Sequence, residues 1–235
     1  TLQLPRGLLR QLEILSAGHT LPYDVGRVEC QHPQGGRTTR HFLNSASFCV
    51  TSALQHEWRD PETSLLQALP RLAGALRSAA GPRGVRVRLE SQGAVVYEGA
   101  CALGMLMGGR YAPTFGYVAP QADPADGLLE LTWMRGGSWW GLALQLAKLW
   151  LRPGAAGLRW QGVEQVAALP LDGPVYVEVD GQPLGHLPAA FSVVPRALPV
   201  MVAPVAVKLL KPAFKPVEKL GNGRLVGSIK SAAGM

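Results

Sequence analysis

Two acidic turns hold the side chains most able to take part in chemistry. The sequence DPADGL covers residues 123–128, and Asp180-Gly181-Gln182 interrupts the alternating segment VYVEVDGQPLGHL at 175–187. Asp-Gly is a strong turn signal, because glycine accepts a positive φ and Asp tolerates it. Taken alone, each turn predicts a tight bend in the chain and nothing more. Its setting among the other segments decides whether it also belongs to a site.

The rest of the sequence lacks the motifs of several kinds of active site. It contains no GxxxxGK[ST] phosphate loop, no GxSxG nucleophile turn and no HExxH zinc motif. The five histidines, at positions 19, 32, 41, 56 and 186, are scattered without metal-ligand spacing. The three cysteines, Cys30, Cys49 and Cys101, form no CxxC pair. This spacing disfavours zinc sites and disulfides and is typical of a protein of the reducing cytosol.

The composition indicates a folded, basic protein. Of the 235 residues, 47% are hydrophobic and 17% are charged, so the chain can bury a core. The net charge of +7 suits an anionic partner, either nucleic acid, a nucleotide or an acidic membrane face. Basic residues interleaved with aromatic ones are lacking, which disfavours nucleic acid. We find no signal peptide and no apolar window long enough for a transmembrane helix, and the start at Thr1 suggests a fragment or a processed chain.

Strands joined as hairpins account for most of the predicted elements. Period-two patterns predict strands at 23–30, 41–53, 85–90, 94–106, 126–134, 158–169, 174–180 and 188–203. Helical spacing predicts helices at 5–15, 64–79 and 138–151. The sequence therefore predicts a mainly β fold, an antiparallel β-sandwich or distorted barrel with two or three peripheral helices.

Two segments each allow two interpretations. The segment 138–151, which includes Trp139 and Trp140, fits either a buried helix or an interfacial helix on a membrane. The tail over 205–235 carries lysines separated by Pro212 and Pro216, which forbid one continuous helix. It fits either a solvated extension or a basic contact with a membrane surface. We divide the chain into a domain over 1–204 and this C-terminal extension.

Six segments, taken in order, resemble the C-terminal part of the diacylglycerol kinase and sphingosine kinase superfamily, closest in style to bacterial YegS-like lipid kinases. They are YDVGRV (23–28), RHFLNSASF (40–48), GGRYAPTFGYVAP (108–120), DPADGLLEL (123–131), VEVDGQPL (177–184) and FSVVPRALPVMVAP (191–204). The resemblance implies a β-sandwich domain that receives the lipid. The family's other domain binds ATP through a GGDGT motif, which this sequence lacks. We expect that domain to lie upstream of a chain that begins near the domain boundary.

The resemblance also implies catalytic residues at the second turn. The family usually carries Asp-Gly-Glu there, and its Glu is the proposed general base that takes the proton of the lipid hydroxyl. By position, the predicted catalytic residues of this chain are Gln182 and Asp180. A neutral amide accepts a hydrogen bond but cannot take up a proton at ordinary pH. The resemblance therefore implies weakened catalysis rather than none, because phosphoryl transfer depends mostly on positioning and charge stabilisation.

The first turn matches a Mg²⁺ site of the family. By position the ligands are the side chain of Asp126, with Asp123 and Leu128 as candidate carbonyl donors, and hard oxygen ligands suit Mg²⁺. A plain turn without an ion is the alternative. Asn44 matches a position that we expect to contact the substrate.

Three functions stay open at this point. The first is the lipid-substrate domain of an ATP-dependent lipid kinase, cytoplasmic and peripheral to an anionic membrane, with ATP bound mainly by the missing domain. The second is a non-catalytic lipid-binding or regulatory module, and the third is an unrelated β-sandwich interaction domain. In every case we expect the isolated chain not to phosphorylate lipids. A homodimer is left open, and no nucleic-acid partner is expected.

Overall fold

The fold is built almost entirely from antiparallel strands. A computed structural model describes residues 7–49, 85–112, 116–138, 144–145, 148 and 158–202. The predicted helices at 64–79 and 138–151 lie wholly or largely outside these residues. The predicted extension over 205–235 lies outside them too, so the division of the chain at residue 204 stays a prediction.

One helix and twelve strands follow one another along the described residues. They are α1 (Leu8–Ala17), β1 (Thr20–Gln31), β2 (Arg37–Phe42), β3 (Ser45–Cys49), β4 (Arg86–Ser91), β5 (Ala94–Met107), β6 (Tyr111–Ala112), β7 (Gly116–Tyr117), β8 (Leu129–Arg135), β9 (Leu158–Val163), β10 (Gln165–Pro170), β11 (Tyr176–Val179) and β12 (Gln182–Met201).

The main sheet closes on itself. Its strands are ordered β10-β4-β5-β3-β11-β12-β1-β2, and β10 also pairs with β12. Strand β12 makes this closure possible because it is long. Its first residues pair with β11, and residues from Ala189 to Ser192 pair with β10 while β1 lies along its other edge. Strands β8 and β9 extend the sheet from β5. The predicted distorted barrel is confirmed.

The predicted hairpin turns are confirmed, and two predicted strands are each divided. Gln92 and Gly93 connect β4 to β5 with φ angles of 52° and 77°, as a two-residue turn requires. The strand predicted over 41–53 breaks at Leu43 and Asn44, which separate β2 from β3. The strand predicted over 158–169 breaks at Glu164. Neither break is marked by a glycine or a proline at the break itself. The chain bends there because of contacts with distant residues, Asp180 at the first break and Val193 at the second.

Helix α1 is confirmed, but its leucines do not pack as an amphipathic face usually does. Gly18 ends the helix with a φ of 65°, and its N–H donates to the carbonyl of Leu15. Ile14 is buried, whereas the leucines of the predicted apolar face are exposed in the described part of the chain. These exposed leucines are Leu8, Leu9, Leu12 and Leu15.

Glycines beneath aromatic rings let the barrel close tightly. Gly104 on β5 lies opposite Phe48 on β3, and an ideal Cβ on Gly104 would lie 2.0 Å from the Phe48 ring. Phe48 in turn packs against Phe191 on β12, with ring centroids 6.0 Å apart. Gly185 on β12 meets backbone instead, since a Cβ there would lie 2.1 Å from the carbonyl oxygen of Gln31. These positions tolerate no side chain.

We expect Gly185→Ala to lower the free energy of unfolding by about 1–3 kcal/mol or more, because a backbone oxygen cannot rotate away as a side chain can. Gly137→Ala is the matched control, since a Cβ on Gly137 meets nothing within 4 Å. Its effect should stay within about 0.5 kcal/mol. Denaturant unfolding of the two variants measures the difference, and equal stabilities would show that β1 and β12 can separate to admit a methyl group.

Candidate functional site

The second acidic turn is a two-residue hairpin loop between β11 and β12. Val179 pairs with Gln182 across the loop, and Asp180 and Gly181 adopt φ angles of 46° and 82°. Two successive positive φ angles are typical of a type I′ turn, for which Asp-Gly is a preferred sequence. The local residues therefore account for the turn, as the sequence predicted.

The carboxylate of Asp180 binds a different part of the chain. Its Oδ2 accepts a hydrogen bond from the N–H of Leu43 at 3.0 Å, and its Oδ1 accepts from the N–H groups of Asn44 and Ser45 at 3.0 and 2.9 Å. The N–H of Asp180 donates to the carbonyl of Ser45 at 2.8 Å. Asp180 thus holds the break between β2 and β3 in place. Both of its carboxylate oxygens accept backbone hydrogen bonds. Its predicted catalytic role stays a prediction.

Gln182 is exposed at the mouth of the turn and contacts a cation. Its Oε1 accepts a hydrogen bond from Nη1 of Arg40 at 3.0 Å. Arg40 lies on β2, 142 residues away in sequence, so the hairpin and the basic strand meet at this point. Sequence reasoning did not identify Arg40, and its position inside the segment RHFLNSASF was the available signal.

Glu178 places a buried carboxyl beside the same turn. The residue is 4% exposed, and its Oε2 has no hydrogen-bond partner in the described part of the chain. Burial raises the pKa of Glu178 to about 7, against a hydrogen bond from the N–H of Gly181 that lowers it. Alternation along β11 puts Glu178 on the face opposite the valines, and the structure agrees; Glu178 is buried there, whereas Tyr176 on the same face is exposed.

Asp24 anchors the first acidic turn. It is 1% exposed and lies at a register irregularity in β1. Its N–H donates to the carbonyl of Pro124 at 2.7 Å, and its Oδ2 accepts from the N–H of Gly127 at 2.7 Å. Its Oδ1 accepts from the N–H of Arg196 at 2.7 Å. Sequence reasoning missed Asp24, although an Asp inside an apolar strand was a usable signal.

The carboxyls of the first turn are close enough to repel one another. Partial burial, with the charges of Asp123 and Asp24, raises the pKa of Asp126 to about 6. Burial also raises the pKa of Asp123, which the Arg110 guanidinium and a hydrogen bond from Ala125 partly offset. Burial raises the pKa of Glu130, on the adjoining strand β8, to about 7. The residues that the structure describes include no cluster of three acidic, His or Cys side chains with metal-binding geometry.

Tyr23 lies between the two turns, and carboxylates of both turns act on its phenol. Burial is the largest cause that raises the pKa of this phenol, and the negative charges of Asp123, Asp24 and Asp180 raise it further. The side chain of Asn44 approaches the same place: an ideal Cβ on Gly109 would lie 3.7 Å from the Tyr23 hydroxyl and 3.8 Å from Oδ1 of Asn44. The carbonyl of Asn44 also accepts from the N–H of Gly108 at 2.9 Å. The structure therefore brings Asn44 and both predicted turns to one region, and Tyr23 is the residue that sequence reasoning missed there.

A family match covers both acidic turns but begins after Tyr23, Asp24, Arg40 and Asn44. Residues 53–202 match the family described as the YegS C-terminal NAD kinase beta sandwich-like domain. The chain belongs to the YegS C-terminal domain family. The resemblance inferred from the six segments is thereby confirmed, and the two acidic turns lie within the matched range.

Several solved structures share the fold of this chain. Three from Bacillus anthracis str. Sterne, two named as candidate diacylglycerol kinases and one as a diacylglycerol kinase, align with TM-scores of 0.63, 0.62 and 0.57. Their sequence identities to this chain are 15%, 16% and 15%, over 87% of its length. The chain spans 64%, 65% and 62% of those proteins. A search of curated proteins found no match.

This YegS-family chain therefore belongs to a family of kinase-related β-sandwich domains. In the described residues, no helix is long and apolar enough to cross a bilayer.

Loss of the Asp180 carboxylate should loosen the break between β2 and β3. We expect Asp180→Ala to lower the free energy of unfolding by about 2 kcal/mol, because charged acceptors make stronger hydrogen bonds than neutral ones. Asp180→Asn keeps a residue that tolerates positive φ but offers one acceptor oxygen, so its loss should be smaller. Asp172→Ala is the control at another Asp-Gly pair, where the carboxylate lies 4.0 Å from Arg86. If denaturant unfolding shows that Asp172→Ala lowers stability as much as Asp180→Ala, the role of Asp180 in holding the break between β2 and β3 is contradicted.

The raised pKa values of Glu178 and Glu130 predict how stability changes with pH. Each carboxyl has a reference pKa of 4.5 and a folded pKa of about 7, so the folded state holds its proton more tightly than the unfolded chain. This contribution to stability is complete below pH 4.5 and is lost as the pH rises to about 7. The free energy of unfolding should fall across this window by on the order of 1–3 kcal/mol for each carboxyl.

Denaturant unfolding at a series of pH values measures this effect. Glu178→Gln should flatten the profile and raise stability at neutral pH, whereas Glu164→Gln, at an exposed position, should leave the profile unchanged. A Glu178→Gln profile parallel to that of the wild type would show that the carboxyl does not titrate in this window.

Proposed function

We propose that this chain is the lipid-substrate domain of an ATP-dependent lipid kinase of the diacylglycerol and sphingosine kinase type. The domain would aim a lipid hydroxyl at the γ-phosphate of ATP. The observation that carries this proposal is the meeting of both acidic turns and Asn44 around Tyr23. Membership of the YegS C-terminal family and the fold shared with diacylglycerol kinase structures support it.

In this proposal Gln182 positions the reacting hydroxyl. Its exposed amide is held by Arg40, so its oxygen is oriented while the guanidinium keeps further donors for a phosphoryl oxygen. Phosphoryl transfer gains mainly from such positioning and charge stabilisation. The amide cannot take up the proton that the hydroxyl loses, so that proton leaves to solvent and transfer is slow. Asp180 contributes through the turn and Asn44, both of which it holds.

ATP would be bound mainly by a second domain that carries the GGDGT motif. Two observations support this arrangement. The sequence holds no phosphate-cradling loop, and the chain spans 62–65% of the related structures. The chain alone would therefore be inactive. It would work at the cytoplasmic face of an anionic membrane, attracted by its net charge of +7.

Mg²⁺ at the first turn is part of the same proposal, with Asp126, Asp123 and Leu128 as its ligands. The donor chemistry fits, because burial and, to a lesser extent, the charges of Asp123 and Asp24 raise the pKa of Asp126 to about 6, and a cation would favour the charged carboxylate. Asp123 and Asp126 each use one oxygen to accept a backbone N–H, from Ala125 and Leu128. Their second oxygens, backbone carbonyls and water would complete the shell, as Mg²⁺ usually retains water. The ion would neutralise this turn.

A non-catalytic lipid-binding module is the second candidate. The observation that favours it is the neutral Gln182 at the position where a proton acceptor is expected. Such a module would keep the hydroxyl site and the fold without transferring phosphate.

Gln182→Glu separates the two candidates. In the full-length protein, with its proposed nucleotide-binding domain, we expect this change to raise the rate of lipid phosphorylation about tenfold or more, because a carboxylate can accept the hydroxyl proton. The rate is measured as transfer of labelled phosphate from ATP to a series of lipid alcohols. Gln182→Ala should be slower than the wild type, since the oriented oxygen is lost.

Gln92→Glu is the matched control, because it adds the same charge at the exposed hairpin between β4 and β5. It should not change the rate. Absence of transfer by both the wild type and Gln182→Glu, with every lipid tried, would leave the lipid-binding module as the better account.

A further inference from the structure

The space beside Gly109 is bordered by two polar atoms with no hydrogen-bond partner in the described part of the chain. A Cβ placed on Gly109 would touch the hydroxyl of Tyr23 at 3.7 Å and Oδ1 of Asn44 at 3.8 Å. Apart from Gly109 and its two chain neighbours, no other described residue has an atom within 4 Å of that point. The described residues therefore leave room for one small group between a phenol and an amide.

The two polar atoms complement an alcohol. The phenol of Tyr23 donates a hydrogen bond, and the amide oxygen of Asn44 accepts one. A hydroxyl group both donates and accepts, so it can satisfy the two at once. An ether or ester oxygen cannot donate to Asn44, and neither can an ionised phosphate oxygen.

The surrounding charge favours a neutral group as well. Burial raises the pKa of the Tyr23 phenol, and the charges of Asp123, Asp24 and Asp180 raise it further, so the phenol stays protonated and able to donate. Asp24 and Asp180 use their oxygens on backbone N–H groups, so they contribute negative potential without filling the space. An anion placed there would meet that potential directly.

We propose that Tyr23 and Asn44 bind the hydroxyl of the lipid alcohol over the backbone of Gly109, with Tyr23 as the donor and Asn44 as the acceptor that selects an alcohol. The inference rests on the proposed function, since it assigns the place where that substrate's hydroxyl lies. The inference also explains how the phosphorylated product would leave the site. Once phosphorylated, the oxygen has no proton for Asn44 and carries charge nearby, so the product binds more weakly than the substrate.

The test compares an alcohol with its own ether. The full-length protein is titrated with uncharged detergent micelles that contain either dioleoylglycerol or its O-methyl ether, which share the same acyl chains. We expect the wild type to prefer the alcohol about tenfold. Tyr23→Phe should lower affinity for the alcohol and for the ether alike, about 5–10-fold, because either oxygen accepts from the phenol. Asn44→Ala should lower affinity for the alcohol alone, because only a hydroxyl donates to the Asn44 oxygen.

Gly109→Ala fills the space directly. Its methyl group would make ordinary van der Waals contacts, so the protein should fold as before while binding to the alcohol is lost. Gly137→Ala, which meets nothing within 4 Å, should bind like the wild type. Thermal unfolding of each variant confirms that the fold is intact.

Phosphorylation of dioleoylglycerol is measured in parallel, which separates this inference from the proposed function. Three outcomes would each overturn the inference even if phosphate is transferred: equal affinity of the wild type for alcohol and ether, a preference that survives Asn44→Ala, or alcohol binding that Tyr23→Phe leaves unchanged. A preference that Asn44→Ala abolishes, with weaker binding in Tyr23→Phe, supports the inference, and if no phosphate is transferred it is the kinase function that fails.

Discussion

The carboxylate of Asp180 is the interaction on which the site depends. The Asp-Gly pair needs only local chemistry to turn, because two residues accept positive φ. The same Asp then reaches across the sheet and accepts the N–H groups of Leu43, Asn44 and Ser45. Those donors would otherwise lie at a break between strands with no sheet partner, and unpaired backbone groups are costly. One side chain therefore stabilises the end of one hairpin and the bend of another.

Asp24 does for the first acidic turn what Asp180 does for the second. It accepts N–H groups from Gly127 and Arg196 and is almost wholly buried, at 1% exposure. Two carboxylates thus hold irregular backbone in fixed positions by binding its donors. Between them lie Tyr23 and Asn44, whose side-chain oxygens border the space beside Gly109. A site made of loops gains rigidity in this way, because its shape depends on a closed sheet and on charged acceptors rather than on the loops alone.

The second face of the sheet carries polar groups that cost stability. Glu178 lies opposite Ser47 on β3, and Glu130 and Thr132 lie on β8; each has a buried oxygen without a partner in the described residues. Buried polar atoms without partners destabilise the folded state by about 1–3 kcal/mol each. The carboxyls reduce this cost by holding protons, which is why their pKa values rise to about 7. Phe48, Val177 and Leu131, on the opposite face, form the apolar core that offsets the cost.

The features that depend on neighbouring residues could be predicted from the sequence alone. Period-two alternation and Asp-Gly or Gln-Gly pairs identified the strands, the hairpins and the mainly β class, because a pleat and a tight turn are properties of a few adjacent residues. The order of short motifs indicated the family, and residues 53–202 confirmed it. Only the tertiary structure decided the break at Leu43 and Asn44, the anchoring by Asp24 and the burial of Glu178. Each of these results from a contact between residues far apart in the chain, such as the pair formed by Arg40 and Gln182 across 142 positions. No local pattern encodes such a contact.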